Sequence, residues 1–565
     1  MKELKQWMFL SCVPILLLCG LICIFAVDVP FMDEWGYAHY IGNFYSGNLT
    51  IYDLWNQHNE HRIFFPRLIT LLNIILFHWN IYVSMAITVI LALCGSYLIY
   101  KMIKMINISD NKKFWLYFSV AWILFSFNQA ENWLWGFQLA FGLAVFASIA
   151  SIYILSVFPQ TTKIIVSSAL AAIVSIYSSA NGLFIYPVGI LIICMGQSTT
   201  KIKNVILWSL LVGTASVAYF IDFHFIASHG GFSHNWQLLI SNPEQFLIGF
   251  SVILARLFVH KTNTIAVCIS IGGLCWQFFL LKKYRQSLGS SRMPYIGILG
   301  LGAYSLLVVL SIAFGRFSIG GLDSPRYIVF SLYFWVSLIC QTFYILEQKG
   351  DIHINAYKGI AVISTIISLL GSFSMTPYAK EQYFQRNWVK HEVLAGNPID
   401  TNRFCSWSFP SVTMIKNIKY LKDNHIRNFE NACYTVKTDL NRILNNEFEL
   451  TDKSLATLDD FRFDDNQIFV IRGWCFVTGE NNQFNKYSLI LKNGDTIFSS
   501  SLKNEDRIDV VNAFPNEFNL LHCGFSKSTI AFLDAVDSGE YDLFIGVETP
   551  DKKVMCPLNK KVRVP

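Results

Sequence analysis

Apolar runs of near-bilayer length recur along the first two-thirds of the chain and then stop. Residues 7–27 are nearly all apolar behind Lys2 and Lys5, and roughly 20 such residues at 1.5 Å each cross a hydrocarbon core. Further runs occupy 81–100, 114–127, 139–158, 164–178, 183–195, 205–221, 264–281, 296–314, 327–346 and 359–373. Together they predict about eleven transmembrane helices. Two apolar stretches read differently. Residues 63–78 carry Arg62, Pro66 and Arg67 at their start and are expected to lie in the interface. Residues 246–260 are expected to be re-entrant or interfacial, because a full crossing would deliver Lys282, Lys283 and Arg285 to the outside, against the positive-inside bias.

Lysines fix the expected sidedness. Lys101, Lys104, Lys112 and Lys113 follow the second span, and Lys163, Lys201 and Lys203 close later hairpins. Placing them in the cytoplasm puts the amino terminus inside and the loop 28–67 outside. After Ser374 no bilayer-length apolar run returns. Residues 377–460 read as a helical connecting region. From Phe461 onwards short alternating segments, separated by Asn493-Gly494-Asp495 and Ser538-Gly539, predict a β-sandwich over 461–565. The fold class expected is a polytopic α-helical membrane protein, residues 1–376, with a carboxyl-terminal extracytoplasmic β-sandwich.

Composition agrees with the pattern. Hydrophobic residues make up 53% of the chain and charged residues 15%, which places it among integral membrane proteins. A net charge of +6 is accounted for by lysines on one set of loops and implies no nucleic-acid partner. The tail holds Cys405, Cys433, Cys475, Cys523 and Cys556, an odd set compatible with one or two disulfides and a leftover thiol. No C-x-x-C or H-E-x-x-H spacing occurs, so no metal ligands are assigned.

Titratable groups gather in three loops expected on the outer face. The first carries Asp33, Glu34, His58, His61 and Arg62, with Asp53 and Glu60 between; the second carries Glu131, Trp133 and Trp135; a late one carries Arg316, Arg326 and Tyr327. Ionisable groups at membrane depth are costly and point to function. Carboxylates suit proton removal, the planar fork of arginine suits an anionic phosphate, and aromatic rings suit a sugar face.

The motifs Met32-Asp33-Glu34-Trp35 and His61-Arg-Ile-Phe-Phe-Pro66 resemble those of the GT-C membrane glycosyltransferases, a plan shared by protein O-mannosyltransferases and the lipid A aminoarabinose transferase. The segments ENWLWGFQ, SSANGLFIYP and GRF…SPRY are similar to bacterial members that decorate O-antigen from polyprenyl-phosphate sugars. The resemblance implies a first-loop catalytic Asp33, with Glu34 beside it, and a donor-phosphate site at Arg316, Arg326 and Tyr327. It leaves His58, His61, Arg62, Glu131, Trp133 and Trp135 for substrate binding. The histidine–proline motif departs from the commoner His-Pro-Pro. In the tail, Gly473-Trp474 and Gly539-Glu-Tyr-Asp-Leu resemble β-sandwich modules appended to bacterial glycosyltransferases. The expected partners are a polyprenyl-phosphate sugar, a glycan acceptor and membrane lipid, at a bacterial inner membrane with the tail in the periplasm. No cofactor is required by this reading, and a divalent cation is left open. The alternatives are a lipid-linked glycan flippase or a polymerase or ligase of such glycans.

Overall fold

The computed structural model describes residues 2–224, 231–259, 263–286, 292–318, 321–348, 350, 352–392, 394–396, 399–400, 411–423, 426, 429, 431–432, 436–437, 441–444, 447–463, 468–517, 519–530 and 536–564. The chain divides into two compact units. The first comprises residues 1–34 and 46–387, the second residues 35–45 and 388–565.

The first unit is helical, and seven helices among the described residues are long and apolar enough to cross a membrane: Ile81–Lys104, Gly136–Val157, Lys201–Ala218, Asn263–Lys283, Tyr295–Gly315, Pro325–Glu347 and Ile354–His391. Other runs expected to span form shorter helices, such as Asp110–Leu124 and Thr162–Ile176, each of 15 residues. Fifteen residues rise only about 22 Å. The stretch expected to be re-entrant or interfacial overlaps a 12-residue helix, Pro243–Leu254. The Lys201–Ala218 helix carries a π-helical turn over Ser209–Gly213, a departure that bends helices and re-aims their ends.

Small polar residues tie these helices. Ser148 Oγ lies 2.7 Å from Ser175 Oγ, and Ser151 Oγ lies 2.8 Å from Ser168 Oγ, joining Leu139–Val157 to Thr162–Ile176. Gln277 and Gln341 exchange reciprocal amide bonds at 2.9 and 3.0 Å. In an apolar surround such pairs satisfy groups that water cannot reach.

The interfacial helix of the sequence reading is Phe64–Phe77. It buries Pro66, Arg67, Thr70, Asn73 and Ile74 and leaves Leu72, Ile75, Leu76 and Phe77 exposed, an apolar face turned outward. The change of composition at Ser374 breaks nothing: a single 39-residue helix runs from Ile354 to Glu392 through Pro377.

In the second unit two short strands, β3 (Ile399–Asp400) and β4 (Val436–Lys437), pair in parallel. Two sheets then form from β5 (Asn441–Ile443), β6 (Glu449–Leu450), β7 (Ser454–Phe463), β8 (Ile468–Val477), β9 (Lys486–Asn493), β10 (Thr496–Ser501), β11 (Lys503–Glu505), β12 (Gly524–Ile530), β13 (Gly539–Glu548) and β14 (Lys553–Val564). The orders are β5-β10-β9-β13-β14-β6 and β11-β12-β8-β7. Alternate residues Tyr541, Leu543, Ile545 and Val547 of one sheet share a core with Ile471, Cys475 and Val477 of the other, the period-two pattern of packed sheets. Gly473 is required by close approach, since a Cβ there would stand 2.1 Å from the Thr457 carbonyl oxygen.

The strands of these two sheets therefore begin at Asn441, some twenty residues before the expected boundary at Phe461; their two earliest are only two or three residues long, too short to alternate visibly. Cys475, Cys523 and Cys556 are buried free thiols, against the expectation of disulfides. Cys405 and Cys433 lie outside the described residues. The second unit also takes residues 35–45 from the opening loop. Asn417 Nδ2 donates to the Trp35 carbonyl at 2.7 Å, Trp35 meets Phe429 edge-on, and Gly42 lies against the Tyr420 ring.

Candidate functional site

The opening loop is built by local rules. Thr50 caps the short helix Ile51–Trp55 with its hydroxyl, and Asp53 returns the bond to the Thr50 amide, a capping box. Asp53 is thereby explained structurally. A two-residue hairpin follows, β1 (Gln57–His58) and β2 (His61–Arg62), turned at Asn59 with φ 49°. Arg62 anchors it from behind. The guanidinium is buried and donates to the carbonyls of Trp55, Tyr219 and Ile221, while the Tyr219 hydroxyl accepts from the Arg62 amide at 3.0 Å and donates to the Glu60 carbonyl at 2.8 Å. With Nε, Nη1 and Nη2 each donating to a backbone carbonyl, Arg62 holds the hairpin in place and is absent from the lining of the cavity that the hairpin borders.

The hairpin presents His58 and His61 to a cavity of about 330 Å³, whose lining includes Asp33, Trp135, Phe141, Arg316, Arg326 and Tyr327. Asp33 sits in a 3-10 turn, Met32–Gly36. Its Oδ2 lies 3.8 Å from His58 Nε2, an ion-pair distance too long for a hydrogen bond. Partial burial opposes the Asp33 charge, yet His58 beside it and the positive charge of Arg326 outweigh that and hold its carboxyl below the usual range. Asp33 is thus ionised at neutral pH. His61 is the opposite case: burial pushes it down to about 4. The Ala180 amide donates to His61 Nδ1 at 3.2 Å, which leaves the ring neutral with its proton on Nε2.

Two arginines, Arg316 and Arg326, line the same cavity. Arg326 follows Pro325 at the head of the helix that runs to Glu347. Its guanidinium lies over the Trp135 ring at 5.8 Å and the Tyr327 ring at 5.2 Å. Glu131 holds this corner: Oε1 accepts from Arg326 Nη1 at 3.0 Å, and Oε2 accepts from the Arg326 amide and from Ser324 Oγ, each at 3.1 Å. Asn132 Nδ2 donates to the Arg326 carbonyl at 3.0 Å. Arg316 lines the same cavity, and no carboxylate pairs with it among the described residues.

Several expected site residues lie elsewhere. Glu34 is buried away from the cavity, where its Oε2 accepts from the Phe31 amide at 2.9 Å. Burial pushes its carboxyl up to about 8, despite that bond and the charge of Arg386. The fit around it is close, since a Cβ at Gly136 would stand 2.4 Å from Glu34 Oε1. Glu131 is buried behind Arg326 and does not face the cavity. The Trp133 indole donates to the Ser126 carbonyl at 3.0 Å and faces a second, smaller cavity. Trp135 does line the large cavity, steadied by an indole bond of 2.9 Å to the Phe31 carbonyl.

Sequence reasoning missed Tyr219, Phe220, Phe223 and Asn235, all of which line the large cavity beside Gln138. Asn235 is buried, and its Oδ1 accepts no hydrogen bond. None of these stands in a charged motif, so only the fold marks them.

Comparison with protein-family models, with curated proteins and with solved structures gives no match in any of the three. A functional reading therefore stands on the geometry. The cavity brings together an ionised carboxylate, two imidazoles, two guanidinium groups and several aromatic rings. Such a site can take a proton from a hydroxyl and hold a phosphate at the same time.

Proposed function

We propose that this protein is a membrane glycosyltransferase that moves a sugar from a polyprenyl-phosphate donor to a hydroxyl of a surface-glycan acceptor. The observation that carries the reading is the shared cavity of Asp33, Arg316 and Arg326. The acceptor oxygen attacks the anomeric carbon as Asp33 removes its proton, a glycosidic bond forms, and the carbon–oxygen bond to phosphate breaks. The electron pair leaves with the phosphate oxygen. Arg316 and Arg326 stabilise that developing charge in a low-dielectric site, and a positioned base contributes about 10²–10⁴-fold. Attack opposite the leaving group inverts the anomeric centre. Trp135 and Tyr327 give flat apolar surfaces for a pyranose face.

On this reading the cavity opens to the outer leaflet of a bacterial inner membrane, and the β-sandwich lies in the periplasm, where it binds or positions glycan. The bond pattern resembles that of GT-C enzymes in its first-loop carboxylate alone. Purified protein in lipid nanodiscs, given a synthetic polyprenyl-phosphate hexose and a glycan acceptor, should release polyprenyl phosphate only when acceptor is present. Movement of the intact donor between leaflets without cleavage would replace the reading with a flippase.

A further inference from the structure

The smaller cavity, of about 30 Å³, lies among residues of the helices Ile81–Lys104, Leu139–Val157 and Ile328–Glu347 and of the 126–138 segment. Three amide oxygens border it: Gln129 Oε1, Asn132 Oδ1 and Gln138 Oε1. All three side chains are at most 3% exposed, and none of these oxygens accepts a hydrogen bond. The orientation of two of them is fixed. Gln129 Nε2 donates to the Leu124 carbonyl at 2.8 Å, and Asn132 Nδ2 to the Arg326 carbonyl at 3.0 Å. Turning either amide over would place two carbonyl-type oxygens against each other. Thr88 borders the same space and uses its proton on the Ser84 carbonyl at 3.0 Å, so its hydroxyl oxygen can serve a further partner only as an acceptor.

Unsatisfied buried acceptors cost about 1–3 kcal/mol each, and a group of them around one space calls for a common partner. A single water donates two hydrogen bonds, fewer than the four acceptors here. A cation satisfies all of them at once. The oxygens are neutral, and the neighbouring carboxylate, Glu131, is already held by Arg326 and Ser324. Divalent ions of the calcium and magnesium type draw on carboxylates, whereas amide and hydroxyl oxygens alone suit a singly charged ion, as unwound backbone carbonyls do in transporters. We infer that Gln129, Asn132, Gln138 and Thr88 form a binding site for a dehydrated alkali-metal cation.

The site has an outlet to the large cavity's machinery. Asn132 grips the backbone of Arg326, and Gln138 borders both cavities. A bound ion therefore stiffens the segment that positions Arg326. This inference does not depend on the glycosyl-transfer reading.

The test uses the full chain in phosphatidylethanolamine–phosphatidylglycerol nanodiscs, with its thermal midpoint followed in NaCl, KCl and choline chloride at equal ionic strength. Ligands that bind only the folded state raise the midpoint saturably. Sodium or potassium should raise it by about 2 °C or more over choline, with the better-fitting ion acting at lower concentration. Gln129→Met should abolish that difference, and Thr88→Val, which keeps shape and removes the hydroxyl, should shift the saturation to at least about tenfold higher salt. Identical midpoints in the three salts would overturn the site and leave ordered water as the occupant. An equal response in Gln129→Met and wild type would also overturn it. The wild-type comparison decides the matter even where a variant fails to fold.

Discussion

His58 Nε2 stands 3.8 Å from Asp33 Oδ2, and the two residues arrive there from different devices, a two-residue hairpin strand and a 3-10 turn. The relationship makes a testable statement about acidity. A carboxyl held below its usual range stays ionised as pH falls, so the acid limb of kcat/KM should lie below the ordinary aspartate value. His58→Gln removes a favourable neighbour while burial remains, so that limb should move to higher pH. A limb unmoved in the pH profile of this variant would end the pairing.

The neighbouring carboxylates should behave unlike each other. Asp33→Asn should lower turnover by about 10²–10⁴-fold with folding intact. Glu34→Gln should leave turnover within a few-fold, because Glu34 does not border the cavity. Its effect should appear in stability. A buried acid whose folded pKa is near 8 favours folding fully below its unfolded value of about 4.3, and that contribution is lost as pH rises through 8. Wild type should therefore lose stability between about pH 4.3 and 8, and Glu34→Gln should flatten this slope in denaturation measured across pH. A steeper slope in the variant would contradict the assignment.

Arg326 should matter for the donor more than for the acceptor. Arg326→Gln should raise the apparent KM for lipid donor by tenfold or more, and Arg326→Lys should recover only part, since lysine lacks the planar fork. Glu131→Gln keeps the shape of the corner and removes the charge that orients Arg326. It should show the same donor-specific defect in weaker form, with reduced stability, since breaking a buried pair costs about 3–5 kcal/mol. Unchanged donor KM in both Arg326 variants would remove the phosphate assignment.

Sidedness gives a fourth outcome. A reporter active only outside the cytoplasm, fused after Pro565, should be active, as the lysine pattern of the loops requires. Activity from a cytoplasmic reporter at that position would invert the arrangement.

What the sequence made legible follows from what kind of physics each feature obeys. Long apolar runs give the helices at 81–104 and 136–157 because burial in lipid is a property of composition. Asp33, Arg316 and Arg326 stand out because charge beside a membrane span is costly wherever it occurs. The role of Arg62 was hidden, since its three bonds to backbone carbonyls, two of them 157 and 159 positions away, leave no mark in the local pattern. Adjacent side chains that alternate in direction already set Glu34 apart from Asp33, but its burial against the Phe31 amide and Gly136 comes only from the fold. Asn235 carries no charge and sits in no motif. The attachment of residues 35–45 to the second unit depends on Tyr420 and Asn417, nearly four hundred positions later.

The Glu131–Arg326 pair joins residues 195 positions apart in the chain, and this has a consequence in time. At about 5–20 residues per second, Glu131 leaves the ribosome roughly 10–40 s before the arginine that will neutralise it. Until then the carboxylate has no guanidinium, no Ser324 hydroxyl and no Arg326 amide to answer it. Completion of the cavity is thus a late event in biogenesis, set by the arrival of the helix beginning at Pro325.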